Sequence, residues 1–110
     1  MPERLSAAEL ALLDPDGTFS RRLGGDRAAL LALAPALRAP SDDRALADMQ
    51  RLAHRLGGAA GTFGHAAVSE AALDLEESLI AQREGECDGD VTARRLVALL
   101  AALETALRLK

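Results

Sequence analysis

Apolar residues recur every three or four positions along most of the chain, and this spacing constrains the fold more than any other feature of the sequence. The clearest run lies mid-chain and comprises Ala45, Met49, Leu52, Ala53, Leu56, Ala59 and Ala60. On an α-helix of 3.6 residues per turn, these side chains form one stripe. Composition agrees, because 49% of the residues are hydrophobic but only Phe19 and Phe63 are aromatic. The apolar content is mostly alanine and leucine, which favours packed helices over sheets.

Capping and turn residues divide the first third of the chain. Residues 6–13 begin with a capping-box sequence and predict a short leading helix. A second apolar stripe, over residues 19–37, is interrupted by Gly24 and Gly25. This part is therefore either one helix with a weak point, or a turn followed by a helix capped at Asp26.

Three helices are predicted in the remainder. Ser41 is expected to cap the helix of the central stripe, which should end near Ala60. After a turn at residues 62–64, a helix from about Ala66 places its apolar residues on one face: Val68, Ala71, Ala72, Leu75 and Leu79. A last helix, over about residues 91–109, is expected to bury Leu96, Val97, Leu100, Leu103 and Leu107.

The short connection after the central helix makes it and the next helix antiparallel neighbours. The prediction is an all-α fold: an antiparallel four-helix bundle over about residues 18–109, with a short additional N-terminal helix at about 6–13. With 110 residues, the chain is long enough for one domain with a core and too short for two. Residues 1–110 are therefore interpreted as a single domain.

Charge and cysteine content exclude several classes of function. The net charge of −4 and the pI near 5.1 argue against a nucleic-acid partner, which would select a basic surface. No apolar run approaches the roughly 18 residues of a membrane span, and the N-terminus has no signal-peptide pattern. A single cysteine, Cys87, excludes an internal disulfide and a cysteine-based zinc site. The chain is interpreted as cytoplasmic, without a membrane partner.

One histidine, His54, lies almost opposite the central apolar stripe and is therefore expected to point to solvent. The residues expected to share or border its face are Gln50, Arg51, Arg55, Gly57, Gly58 and Gly61, with Gly57 at the edge. Each glycine inside a helix costs roughly 1 kcal/mol relative to alanine, yet these three cluster within two turns of His54. A bare surface around an exposed imidazole suits a nucleophile that another protein must approach closely.

The segment from His54 to Gly64, HRLGGAAGTFG, resembles the signature of histidine phosphotransfer (Hpt) domains, roughly H-[KR]-L-K-G-[SA]-[SA]-x-x-[LF]-G. It departs only at Gly57, where the family usually has lysine. Leu75-Glu76 and the helix order are also similar, so the resemblance covers about residues 20–109. It implies a four-helix bundle in which His54 is phosphorylated, through Nε2, and exchanges the phosphoryl group with the aspartate of a response-regulator receiver domain.

The residues themselves are consistent with a carrier. An exposed histidine with a pKa of about 6.5 is mostly neutral at cytosolic pH, and neutral imidazole is the nucleophile in histidine phosphorylation. The sequence has neither a Walker-type phosphate loop nor a carboxylate cluster for magnesium. We therefore expect no kinase or ATPase activity, and no cofactor or metal on this chain. The resemblance implies that magnesium belongs to the receiver domain.

The resemblance implies that a lysine at position 57 would help to neutralise the negative charge of the phosphoryl oxygens, which Gly57 cannot do. Arg51 lies one turn before His54, and Arg44 and Arg55 continue along the same flank. The hypothesis is that Arg51 or Arg55 partly substitutes for the lysine, or that the partner supplies the charge. These arginines are also expected to favour association with an acidic receiver pocket, an effect that salt would weaken.

Four polar positions receive further interpretations. Gln50 is expected either to orient the imidazole ring or to be solvated. His65 has no partner at metal-ligand spacing and is interpreted as a turn or capping residue. Glu76 and Glu77 are interpreted as part of a solvated face.

The expected partners are a receiver domain and a sensor or hybrid histidine kinase, with this chain a monomer. Two alternatives remain open at this point. The first is a degenerate Hpt-like protein that binds and sequesters a receiver domain or kinase without phosphotransfer. The second is a plain structural bundle, such as a dimerisation module.

Overall fold

The computed structural model describes residue 9, residues 12–38 and residues 40–108. Four α-helices follow one another in these ranges: α1 (Thr18–Leu33), α2 (Asp43–Thr62), α3 (Ala66–Arg83) and α4 (Gly89–Arg108), with a 3-10 turn, Ala34–Leu37, after α1. No strand occurs in the described ranges, and the predicted all-α four-helix bundle is confirmed. None of the described helices has the length and apolarity that crossing a membrane requires.

Two predictions concern the first third of the chain: the leading helix, and the two alternatives for residues 19–37. The predicted leading helix at 6–13 falls largely outside the described residues; of its positions, Glu9, Leu12 and Leu13 are described as helical. Helix α1 runs without a break through Gly24 and Gly25. Its continuity follows from burial on both sides of the glycines, because Phe19, Leu23 and Leu30 all pack into the core from one face.

Helix α2 begins one residue later than predicted, because Asp42 and not Ser41 is its N-cap. The Asp42 carboxylate accepts hydrogen bonds from the backbone N–H groups of Arg44 and Ala45, at 3.0 and 3.3 Å. It thereby satisfies two of the free donors of the first turn.

The turn between α2 and α3 is built on Gly64, whose φ of 85° lies in the left-handed region that favours glycine. The backbone N–H of His65 donates to the carbonyl of Ala60 at 2.8 Å and closes the turn. Helix α3 therefore returns antiparallel to α2, and these two helices form the most extensive helix contact of the bundle.

The core draws one stripe from each helix. Its buried members are Phe19, Leu23, Leu30, Leu37, Leu46, Met49, Leu52, Ala53, Leu56, Ala60, Val68, Ala72, Leu75, Leu79, Leu96, Leu99, Leu103 and Ala106. The central stripe is thus buried as predicted, with Ala45 and Ala59 at its half-buried edges.

The predicted buried face of α4 is partly wrong. Leu96 and Leu103 are buried, but Val97 is 65% exposed and Leu99 takes its place in the core. Helix α4 carries apolar residues on more than one face, so periodicity alone does not fix its rotation. Buried Thr92, whose hydroxyl lies 3.5 Å from the carbonyl oxygen of Ser78 on α3, marks the face that packs inward.

An aromatic cluster ties the start of α1 to the turn between α2 and α3. The rings of Phe19 and Phe63 stack with centroids 4.3 Å apart, and the ring of His65 lies 5.7 Å from Phe19. His65 is the N-cap residue of α3, as predicted, but its side chain makes no capping hydrogen bond. It is buried against the aromatic rings instead.

Burial of His65 makes stability dependent on pH. Desolvation lowers the pKa of His65, and the negative charge of Asp14 opposes this shift more weakly. Because the folded-state pKa lies below the unfolded value of about 6.5, the unfolded chain takes up protons first as the pH falls. The stability from neutral His65 is therefore complete above about pH 6.5 and is lost progressively below it.

Urea unfolding at about pH 7.5 and about pH 5.5 measures this effect. We expect the wild-type chain to lose more free energy of unfolding between these pH values than a His65→Leu variant, which has no titrating group at this position. Equal losses in the two proteins would contradict the assignment.

Candidate functional site

His54 lies on the outer face of α2, where its side chain is 74% exposed, as predicted. Its Nδ1 atom is 2.8 Å from Oε2 of Glu76 on α3. An ionised carboxylate can only accept a hydrogen bond, so this contact assigns the ring proton of neutral His54 to Nδ1. The lone pair of the imidazole is therefore on Nε2, the nitrogen away from Glu76.

Glu76 is the site residue that sequence reasoning missed. Its side chain is only 19% exposed, so its interpretation as part of a solvated face is wrong, whereas neighbouring Glu77 is 77% exposed. A signal was present in the sequence: Glu76 lies eleven residues after His65, and His54 lies eleven residues before it. In two antiparallel helices joined by a tight turn, such positions lie opposite each other.

Gly57, expected at the edge of the exposed face of His54 with nothing bulky beside it, is instead covered. It is buried where α3 crosses α2, and a Cβ atom added to it would lie 2.7 Å from Cδ2 of Leu73. Its carbonyl oxygen accepts a hydrogen bond of 2.6 Å from the hydroxyl of Ser69. A helical wheel places Gly57 at the edge of the exposed face, and α3 approaches from that edge.

The other two glycines behave as predicted. Both are exposed. A Cβ atom at Gly58 would meet nothing within 4 Å, and one at Gly61 would meet only the Ser69 side chain, at 3.4 Å from its hydroxyl oxygen. The surface of α2 beyond His54 is therefore smooth, and a partner can approach it closely.

The arginines expected to supply a cationic edge are paired within the chain. Arg51 forms an ion pair with Asp48 in the preceding turn of α2. The Nη2 atom of Arg55 lies 3.4 Å from Oδ1 of Asp26 on α1. Arg44 lies ten residues before His54 in the sequence, about 15 Å away along the helix axis. The positive charges of Arg51 and Arg55 are thus already balanced by carboxylates.

Gln50 is hydrogen-bonded to a residue other than His54. Its Oε1 atom accepts a 2.8 Å hydrogen bond from Nη1 of Arg83 on α3. The same guanidinium donates to Asp43 at 2.9 Å, and this hydrogen bond raises the pKa of Arg83. Gln50 therefore belongs to a polar link between the ends of α2 and α3, and the ring is oriented by Glu76.

Two large apolar side chains stand on α3 on either side of Glu76. Leu73 is 46% exposed and Ile80 is 39% exposed. Together with His54, Glu76 and the open Gly58, they form a surface that we call the His54 face. It combines one nucleophilic nitrogen with apolar and small residues.

This arrangement can attack an electrophile at Nε2 and can hold a positive ring opposite the Glu76 carboxylate. Within residues 9, 12–38 and 40–108, no group of three or more His, Cys, Asp or Glu side chains is placed to hold a metal ion.

Comparison with protein families gives a match to the family described as Hpt domain, over residues 1–108. Comparisons with curated proteins and with solved structures gave no match. Hpt domains are histidine-containing phosphotransfer modules of two-component signalling; they carry phosphoryl groups and interact with receiver domains and histidine kinases. The sequence motif, the four-helix bundle and a match along nearly the whole chain agree, and the chain belongs to the Hpt domain family.

Proposed function

We propose that this protein is a phosphorelay intermediate, which accepts a phosphoryl group on Nε2 of His54 and exchanges it with the aspartate of a response-regulator receiver domain. The observation that carries the proposal is the 2.8 Å contact between Nδ1 of His54 and Glu76. It directs the lone pair of a 74% exposed ring to Nε2. A nucleophile with this exposure is accessible to the phosphorylated aspartate of another protein.

Transfer to His54 needs no proton movement. The Nε2 lone pair forms a bond to phosphorus, and the bond between phosphorus and the aspartyl oxygen breaks, leaving its electron pair on the receiver carboxylate. The Nδ1 proton stays in place, so the phosphorylated ring carries a positive charge that faces Glu76. In the return reaction the ring leaves as neutral imidazole. The Glu76 carboxylate favours the charge that develops during attack.

The chain acts as a carrier without kinase or ATPase activity of its own. Its phosphoryl group originates from a sensor or hybrid histidine kinase, and the magnesium ion for transfer is bound by the receiver domain. We further propose that the protein works as a cytoplasmic monomer, so that one His54 face meets one receiver domain at a time.

A panel of receiver domains, each phosphorylated by a small-molecule donor, tests the proposal. We expect labelled phosphate to move to this chain and to show the lability of phosphohistidine: lost in acid and retained in base. Receivers that bind the chain without transferring label would favour the sequestering alternative. The glycine in place of the usual lysine at position 57 is the feature that favours this alternative.

A further inference from the structure

A receiver that exchanges a phosphoryl group with His54 must cover the surface around Nε2. A standard protein interface buries about 800 Å² on each partner, a disc with a radius of about 16 Å. Leu73 and Ile80 lie three and four residues from Glu76 on α3, or about 4.5 and 6 Å along the helix axis. Both side chains therefore fall near the centre of any such interface.

The two arginines that flank His54 are paired within the chain and offer a partner little free positive charge. Arg51 pairs with Asp48, and Arg55 pairs with Asp26. A charged partner would exchange one exposed ion pair for another, so the net gain in binding energy would be small. Central apolar side chains inside a polar rim are the usual source of binding energy at protein interfaces.

Leu73 occupies space that a side chain at position 57 would need. A Cβ atom on Gly57 would lie 2.7 Å from Cδ2 of Leu73 and 3.0 Å from its Cγ. Absence of a side chain at position 57 thus lets Leu73 lie over α2, one turn from Glu76. The same piece of surface can carry either an apolar side chain from α3 or a longer side chain from α2, and this chain has the apolar one.

We propose that Leu73, seated over Gly57, is a specificity-determining contact of this protein, and that it selects a receiver domain with an apolar patch beside its phospho-accepting aspartate. Ile80 supports this contact from the other side of Glu76. The inference rests on the proposed function for the class of partner. It adds that recognition is apolar at this point. A weak dependence on salt replaces the salt-sensitive association expected from the sequence, because Arg51 and Arg55 are paired within the chain.

Alanine substitutions at two equally exposed leucines test the proposal. Leu73 is 46% exposed and Leu31, on α1, is 44% exposed. We expect Leu73→Ala to raise the Kd for the receiver about tenfold, and Leu31→Ala to change it less than about twofold. Ile80→Ala should give a smaller increase than Leu73→Ala. Thermal unfolding of each variant verifies that the fold is intact, and equal Kd values for the two leucine variants would overturn the proposal.

Salt provides a second measurement on the unmodified protein. We expect the wild-type Kd to change less than about threefold between about 0.05 and about 0.5 M salt. A loss of affinity of about a hundredfold over this range would mean that charge dominates recognition.

A double-mutant cycle tests whether the side chains at positions 57 and 73 compete for the same space. Gly57→Lys must displace Leu73, so we expect it to weaken receiver binding by itself. Adding Leu73→Ala to Gly57→Lys should then cause little further loss, because the leucine contact has already gone. Additive losses would show that the two positions do not share one space.

Binding and transfer are scored separately, so that the two proposals can fail independently. All Kd values are measured with one receiver in its unphosphorylated form. This is the receiver whose phosphorylated form transfers label fastest or, if none transfers label, the receiver that binds most tightly. Label on the wild-type chain with equal Kd values for Leu73→Ala and Leu31→Ala overturns only the inference about Leu73. Weakened binding by Leu73→Ala without label on any protein overturns only the transfer function. A wild-type chain that binds no receiver of the panel contradicts both.

Discussion

His54→Gln is expected to abolish transfer of phosphate from a phosphorylated receiver while leaving the fold unchanged. Glutamine has a polar amide in place of the ring but no nucleophilic lone pair comparable to that of Nε2. Because the His54 side chain is 74% exposed, its replacement removes little packing, and a change in unfolding free energy within about 0.5 kcal/mol is expected. Transfer of labelled phosphate and thermal unfolding measure the two effects.

The other histidine supplies the control. His65 is buried in the aromatic cluster with Phe19, so a His65→Leu variant that remains folded should still accept label. Label that persists on His54→Gln, or that disappears from folded His65→Leu, would mean that the accepting residue has been misassigned.

Glu76→Gln is expected to slow phosphoryl transfer by about tenfold or more, because it removes a carboxylate that orients the ring and stabilises its positive charge. The amide keeps the size of the side chain but loses the negative charge opposite the ring. It therefore stabilises the phosphorylated, positively charged imidazole less well. It can also donate a hydrogen bond, which allows the ring proton to move to Nε2 and block the nucleophile. The rate of transfer from a phosphorylated receiver measures the effect.

A second readout separates this positioning role from a structural one. Nitrogen-15 NMR of the ring should show the proton on Nδ1 in the wild-type chain and a larger share on Nε2 in Glu76→Gln. Glu77→Gln is the matched control, because Glu77 is 77% exposed and contacts Arg95 rather than His54. Equal transfer rates for the two glutamate variants, or an unchanged tautomer, would contradict the role of Glu76.

Most of the fold follows from the sequence, because apolar spacing and capping residues are local signals. The stripe from Ala45 to Ala60 identifies α2 and also predicts that His54 is exposed, since that residue lies opposite it. For helix α4, apolar spacing does not determine which face is buried. This helix carries apolar residues on several sides, so packing against α3 through Thr92 decides that Val97 remains exposed.

The site was less predictable because it is made by two helices. A helical wheel identifies the apolar face of α2 but not the side from which α3 approaches. For that reason Gly57 was expected at the bare edge of the exposed face but is covered by Leu73. Likewise, Glu76 was expected in solvent but contacts His54. Long side chains add a second difficulty. Arg51 and Arg55 lie on the predicted flank, but each reaches a carboxylate that the one-helix pattern does not reveal.

The central claim, that His54 carries the phosphoryl group on Nε2, is tested most directly by NMR of the chain after reaction with a phosphorylated receiver. A nitrogen-15 label, read together with the phosphorus-31 spectrum, identifies both the residue and the nitrogen that is bonded to phosphorus. We predict a single phosphohistidine, with phosphorus on Nε2 of His54 and the proton still on Nδ1 opposite Glu76. Phosphorus on Nδ1, on His65 or on a carboxylate, or none on a chain that binds the receiver, would contradict the account.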